Sequence, residues 1–186
     1  MSRRAAGTGR APCEARAGTA LAMLALCACL AHGQLADRVS VRAAAEALIP
    51  VFGDQAFFTA GGGGTITAEF AALPWLRPLV SVGLSADGIR GAELLTLAQA
   101  GIGAAAVASP LERLALRVEA LAGLYAAYRG NLGASNFCAS ASGEVAFRVS
   151  PSVSLAARAG LGTWLGPSQP LLRAATAGLS ATVHVG

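Results

Sequence analysis

Residues 114–128 read LALRVEALAGLYAAY, and the stretch separates by parity. Even positions are Leu114, Leu116, Val118, Ala120, Ala122, Leu124, Ala126 and Tyr128, an unbroken apolar set, whereas odd positions include Arg117, Glu119, Gly123 and Tyr125. Successive side chains of a β-strand point to opposite faces, so a period of two describes a strand with one greasy face and one face that takes the charge. A helical stripe competes, because Leu114, Val118, Leu121, Tyr125 and Tyr128 also recur at helical spacing in residues that favour helices. Glycines decide for strands: Gly83, Gly101, Gly103, Gly123, Gly160, Gly162 and Gly178 fall inside the periodic runs, and each would cost a helix interior about 1 kcal/mol relative to Ala.

The alternation recurs on both sides of this stretch, broken by Pro, Gly, Ser and Asn at fairly even intervals. Eight runs are expected as strands: Arg38 to Val51, Ala56 to Leu73, Leu79 to Ala86, Ala92 to Ala108, Leu114 to Tyr128, Ala141 to Val149, Val153 to Leu165 and Leu172 to Val185. In the sixth, Val145, Phe147 and Val149 oppose Ser142, Glu144, Ala146 and Arg148; in the second, Phe58, Ile66, Ala68 and Phe70 oppose Thr59, Thr65, Thr67 and Glu69. Nine charges fall inside the runs, namely Arg42, Glu46, Glu69, Glu93, Arg117, Glu119, Glu144, Arg148 and Arg158, and each takes the more polar face of its strand.

That polar face is thin and filled out with Gly, Ala and Ser, unlike the charged outer face of a soluble sandwich. A small membrane barrel accounts for it: apolar residues meet lipid, while small residues and paired charges fill a cramped interior. The reading is therefore all-β, an eight-stranded antiparallel up-and-down transmembrane β-barrel over residues 34–186, with the nine charges as a structural lumen network. Tight connectors at Pro74 to Pro78, Ser109 to Arg113 and Ser150 to Ser152 are expected at one end, and longer loops, such as Arg129 to Ser140, at the other.

Residues 1–33 are expected to be a signal peptide. Arg3, Arg4, Arg10 and Arg16 precede Ala20 to Ala31, ALAMLALCACLA, which is too short to cross a bilayer, and Ala31-His32-Gly33 offers a small-residue cleavage site. Leu26-Cys27-Ala28-Cys29 resembles a lipoprotein box and ranks second; Arg3-Arg4 is followed by Ala5-Ala6 rather than the apolar pair of twin-arginine signals. Cys13, Cys27 and Cys29 lie in that leader, which leaves Cys138 without an internal disulfide partner.

Composition excludes several functions. Beyond Gly33 there are ten Arg against nine acids, so no positive footprint for nucleic acid exists. Gly61 to Gly64 lacks the Gly-Lys-Ser/Thr of a phosphate loop, Cys138 and His184 lack metal-ligand spacing, and no catalytic set or cofactor motif emerges; Ser180 and His184 stand two inward positions apart.

The layout resembles the small eight-stranded outer-membrane barrels of the OmpX, OmpW and OmpA-transmembrane-domain kind. The resemblance rests on the alternation, on Glu69, Arg117, Glu119, Glu144 and Arg148 along one face, and on the final strand Ala174 to Gly186. It departs from that family in ending on Gly rather than an aromatic residue, and in sparse aromatic girdles, with Trp75, Tyr128 and Phe70 available. The resemblance implies a bacterial outer-membrane location, a non-enzymatic role as a structural barrel, in passage of small or hydrophobic molecules or in surface binding, and as partners outer-membrane lipids and the insertion machinery. A soluble or lipid-anchored periplasmic protein that binds a partner is the alternative.

Overall fold

The computed structural model describes residues 39–89, 94–129, 132–166 and 170–185. Eight strands, β1 (Val39–Pro50), β2 (Gly61–Phe70), β3 (Leu76–Gly88), β4 (Leu94–Leu111), β5 (Leu114–Arg129), β6 (Leu132–Ser150), β7 (Val153–Leu165) and β8 (Pro170–Val185), follow one another around a closed barrel. Every neighbouring pair is antiparallel, and β1 closes on β8 from Val39 opposite Val185 to Pro50 opposite Ala174. Closure leaves no sheet edge, which is what a bilayer demands of a β-structure, since lipid offers backbone groups no hydrogen bonds. Among the described residues no helix is long and apolar enough to cross a membrane. The expected leader 1–33 lies outside the described residues.

The outer wall is a belt of aliphatic side chains: Ile102 is 70% exposed, Val118 66%, Leu124 58% and Leu179 69%. Val118 and Leu124 take the parity opposite Arg117 and Glu119 on β5. An apolar surface wrapped around a cylinder in this way is a lipid-facing surface, and it argues against a soluble protein.

Inside, the lumen has two levels. At the end where β1 starts and β8 finishes, here the lower end, lie the buried Arg42, Glu69, Arg117, Glu119 and Glu144. At the upper end, Leu48, Leu95, Leu97, Tyr125, Ala127, Trp164, Leu172 and Ala174 form one buried apolar cluster, with Phe58, Ile89, Cys138 and Leu171 packed against it. The expectation of a polar lumen throughout is thus corrected. Leu95 and Leu97 point inward near the upper end of β4 and Leu172 near that of β8, and packing in one cluster across a narrow interior removes them from water.

Several boundaries also differ from the sequence reading. β6 begins at Leu132, not Ala141, because residues 132–140 pair with β5 from Arg129 opposite Leu132 to Leu121 opposite Ser140, so the long loop expected there is strand. β2 begins at Gly61, preceded by a 3-10 turn at Asp54–Ala56, and Phe58 folds inward to the upper cluster instead of facing lipid. β3 extends down to Leu76, which carries Arg77 into the sheet.

One glycine pair shows how tightly adjacent strands approach. Gly101 and Gly123 stand opposite each other on β4 and β5, and a Cβ on Gly123 would lie 2.1 Å from the Ala100 carbonyl and 2.5 Å from Gly101 Cα. Substituting Ile102, mid-strand on the lipid face, by Arg is expected to cost about 2–4 kcal/mol of folding into phospholipid vesicles. Urea titration read by heat-dependent gel migration measures it, and an unchanged midpoint would contradict a lipid-facing wall.

Candidate functional site

The lower lumen is organised around Glu119 on β5. Its Oε2 accepts hydrogen bonds from Arg42 Nη2 at 2.5 Å and from Arg117 Nε and Nη2 at 3.1 and 3.0 Å; its Oε1 accepts from Arg158 Nη2 at 2.7 Å. Arg42, on β1, also donates to Glu144 Oε2 at 2.8 Å, which Ser180 Oγ reaches at 3.2 Å. Arg117 donates to Glu69 Oε2 at 2.5 Å, while Arg158 reaches Ser142 Oγ at 2.9 Å and lies 3.0 Å from Glu46 Oε1 as an ion pair. Arg42 is 1% exposed, so these charges are dehydrated and depend on one another.

Of the nine charges singled out from the sequence, Arg42, Glu46, Glu69, Arg117, Glu119, Glu144 and Arg158 converge in this network. Arg148 shares their face but stands exposed at the lower mouth, and Glu93 lies outside the described residues. Arg77, placed by the sequence in a turn, comes within 4.0 Å of Glu69 because β3 starts earlier than its alternation indicates. Asp87, just beyond the expected third run, is fully buried near the upper end of β3.

A cavity of 70 Å³ separates the network from the apolar cluster. Glu46, Glu119 and Arg158 line it below, Leu48 and Trp164 above, and Thr65, Gln99, Gly101, Gly123 and Cys138 around its sides. It has room for a few waters. Tyr125 donates to the Leu165 carbonyl at 2.5 Å and Trp164 Nε1 donates to Gln99 Oε1 at 3.2 Å, which fixes both rings across the upper lumen.

Nothing among the described residues assembles a nucleophile with an oriented base. His184 Nε2 lies 3.1 Å from Ser154 Oγ rather than near Ser180, which is engaged by Glu144, and no carboxylate hydrogen-bonds the imidazole. No cluster of His, Cys, Asp and Glu among the described residues could hold a metal.

At the upper rim, a clamp between Asp54 and Arg173 ties the 51–60 connector to β8. Arg173 donates from its backbone N–H to Asp54 Oδ2 at 2.7 Å and from Nη2 to Oδ1 at 3.0 Å, and it stacks 5.4 Å from the centre of the Phe52 ring. Phe52 itself holds a left-handed φ of 55°, a strained conformation for an aromatic residue, followed by Gly53 at 90°. The Arg173 side chain, donating to the carboxylate, holds the Asp54 carboxyl below its ordinary value.

A group whose folded pKa is depressed contributes stability above its unfolded value and loses it as pH falls through the folded one. Relative to the intrinsic rate at each pH, amide exchange at Ala56 and Phe57 is therefore expected to stay slow at neutral pH and to accelerate once the pH drops below the ordinary carboxylate range. In Asp54→Asn the acceleration should already be present at neutral pH; protection independent of pH would exclude the clamp. In the lumen, Glu119→Ala takes one carboxylate acceptor from each of three arginines and is expected to cost about 3–5 kcal/mol by urea titration in detergent. Glu112→Ala, outside the strands, should stay within about 0.5 kcal/mol, and equal costs would contradict the hub.

No protein-family model and no curated protein matches the sequence. Among solved structures, Neisserial surface protein A aligns with a TM-score of 0.62 at 16% identity, covering 78% of this chain and 96% of that one. Ail, the attachment invasion locus protein of Yersinia pestis, aligns at 0.49 and 13% identity over 79% and 98%. The N-terminal β-barrel domain of Pseudomonas aeruginosa OprF aligns at 0.44 and 14% over 78% and 97%. The first of these shares the closed eight-stranded architecture derived above, and the chain has the fold of the small eight-stranded outer-membrane β-barrels.

Proposed function

We propose that the chain is a non-enzymatic barrel of the bacterial outer membrane, exported by residues 1–33 and inserted by the outer-membrane assembly machinery, with a structural role rather than one in permeation. The observation that supports this reading is the double obstruction of the lumen. Below, Arg42, Arg117 and Arg158 cross the interior to shared carboxylates; above, Leu97, Tyr125, Trp164 and Leu172 fill it. An ion entering from below would have to displace paired charges and then shed its water among aliphatic and aromatic side chains.

The short connectors at residues 112–113 and 151–152 support a periplasmic lower end, with the 51–60 connector, Phe52 and Phe57 turned outward from the cell. Lipids are the barrel's principal partners, through the aliphatic belt.

In planar bilayers the wild-type protein is expected to carry no steady current. Trp164→Ala and Glu119→Gln should each stay at background because the other level still blocks, whereas the two together should admit small ions. Steady wild-type conductance would refute the closed-barrel reading.

A further inference from the structure

We propose that the lower mouth of the barrel is an oxyanion site, built to take a phosphate group. The proposal rests on the periplasmic placement of that mouth only for its choice of ligand sources. A cavity of 60 Å³ opens there between the strand ends, bordered by Arg77, Arg113, Arg117 and Arg148 and by the Ser154–His184 pair. Its carboxylates are Glu69, Glu112 and Glu144. Two of these are committed elsewhere: Glu69 receives Arg117 at 2.5 Å, and Glu144 receives Arg42 at 2.8 Å.

The cations are not balanced in the same way. Arg77 reaches Glu69 only at 4.0 Å, on the oxygen already taken by Arg117, and its buried Nε has no hydrogen-bond partner. Arg148 forms no ion pair among the described residues. Two guanidiniums with open donors, three-quarters of Arg77's side chain being out of water, thus border one cavity with Ser154 and Thr182 hydroxyls beside them. A cation that is largely out of water, as Arg77 is, is costly without compensation, and a tetrahedral oxyanion supplies what it and the exposed Arg148 lack: spread negative charge and several acceptors matched to the guanidinium fork. The cavity takes a few waters or one such group, and not a sugar.

Two sources carry this chemistry, a phospholipid headgroup of the inner leaflet and free phosphate. The full barrel, folded in a phosphate-free maltoside detergent at low salt, is titrated calorimetrically with inorganic phosphate and, separately, with dihexanoyl phosphatidylglycerol. Binding is expected with at least one; lipid without phosphate assigns the headgroup, and equal binding of both assigns the free oxyanion. Arg77→Gln with Arg148→Gln should weaken it about tenfold or more, the loss of a charge-assisted contact, while Arg173→Gln at the opposite rim should leave it unchanged. If the double variant does not fold, Arg148→Gln alone, at an exposed side chain, decides by the same criterion. Absence of binding to either probe, or equal binding by the Arg148 and Arg173 variants, overturns the site.

Discussion

The constraint behind the structure is that a bilayer gives neither a backbone amide nor an ionised side chain anything to bond to. The first consequence is closure, with β1 sealed against β8 so that every strand has two neighbours. The second is that parity becomes destiny for charge: once the sheet is a tube, one face of every strand is inside and the other meets acyl chains. Glu119 is where these consequences meet, since one carboxylate accepts hydrogen bonds from guanidiniums arriving from β1, β5 and β7.

Charge does not fill the whole interior. The upper lumen is packed by Leu, Trp and Tyr, much as a soluble core would be, and its two polar aromatic atoms are satisfied by the Leu165 carbonyl and by Gln99. Dividing the tube this way keeps the paired ions in one contiguous cluster, where each strengthens its neighbours, with Asp87 buried apart from them near the upper end. The cavity between the levels marks the change from one kind of packing to the other.

The number of strands and the parity of their charges were legible because a period of two survives wherever one face is apolar and the other carries Arg or Glu. The signal fades where both faces look alike. Leu95 and Leu97 point inward from a strand whose outer residues are also apolar, so sequence alone gave no reason to place a greasy plug inside. Residues 132–140, with Gly133, Ser135, Asn136 and Ser140, carry turn-forming types, yet the ladder of β5 overrides that preference. Arg77 escaped notice because Pro78 reads as a break, whereas in the barrel Pro78 sits opposite Ala104 within the sheet. The clamp of Asp54 and Arg173 joins residues 119 apart and could not be paired by pattern.

The lumen contacts also constrain how the molecule can come into being. Arg42 finds its acceptors 77 and 102 positions away, and Arg158 closes back onto Glu46 of the first strand. An incomplete sheet, open between its first and last strands, therefore leaves Arg42 without Glu119 and Glu144 and Arg158 without Glu46, and that part of the stabilisation arrives only when the cylinder shuts. The network is a latch as much as a filling: it makes partly built intermediates poor and the finished ring abruptly favourable, so that assembly is driven toward a single cooperative step.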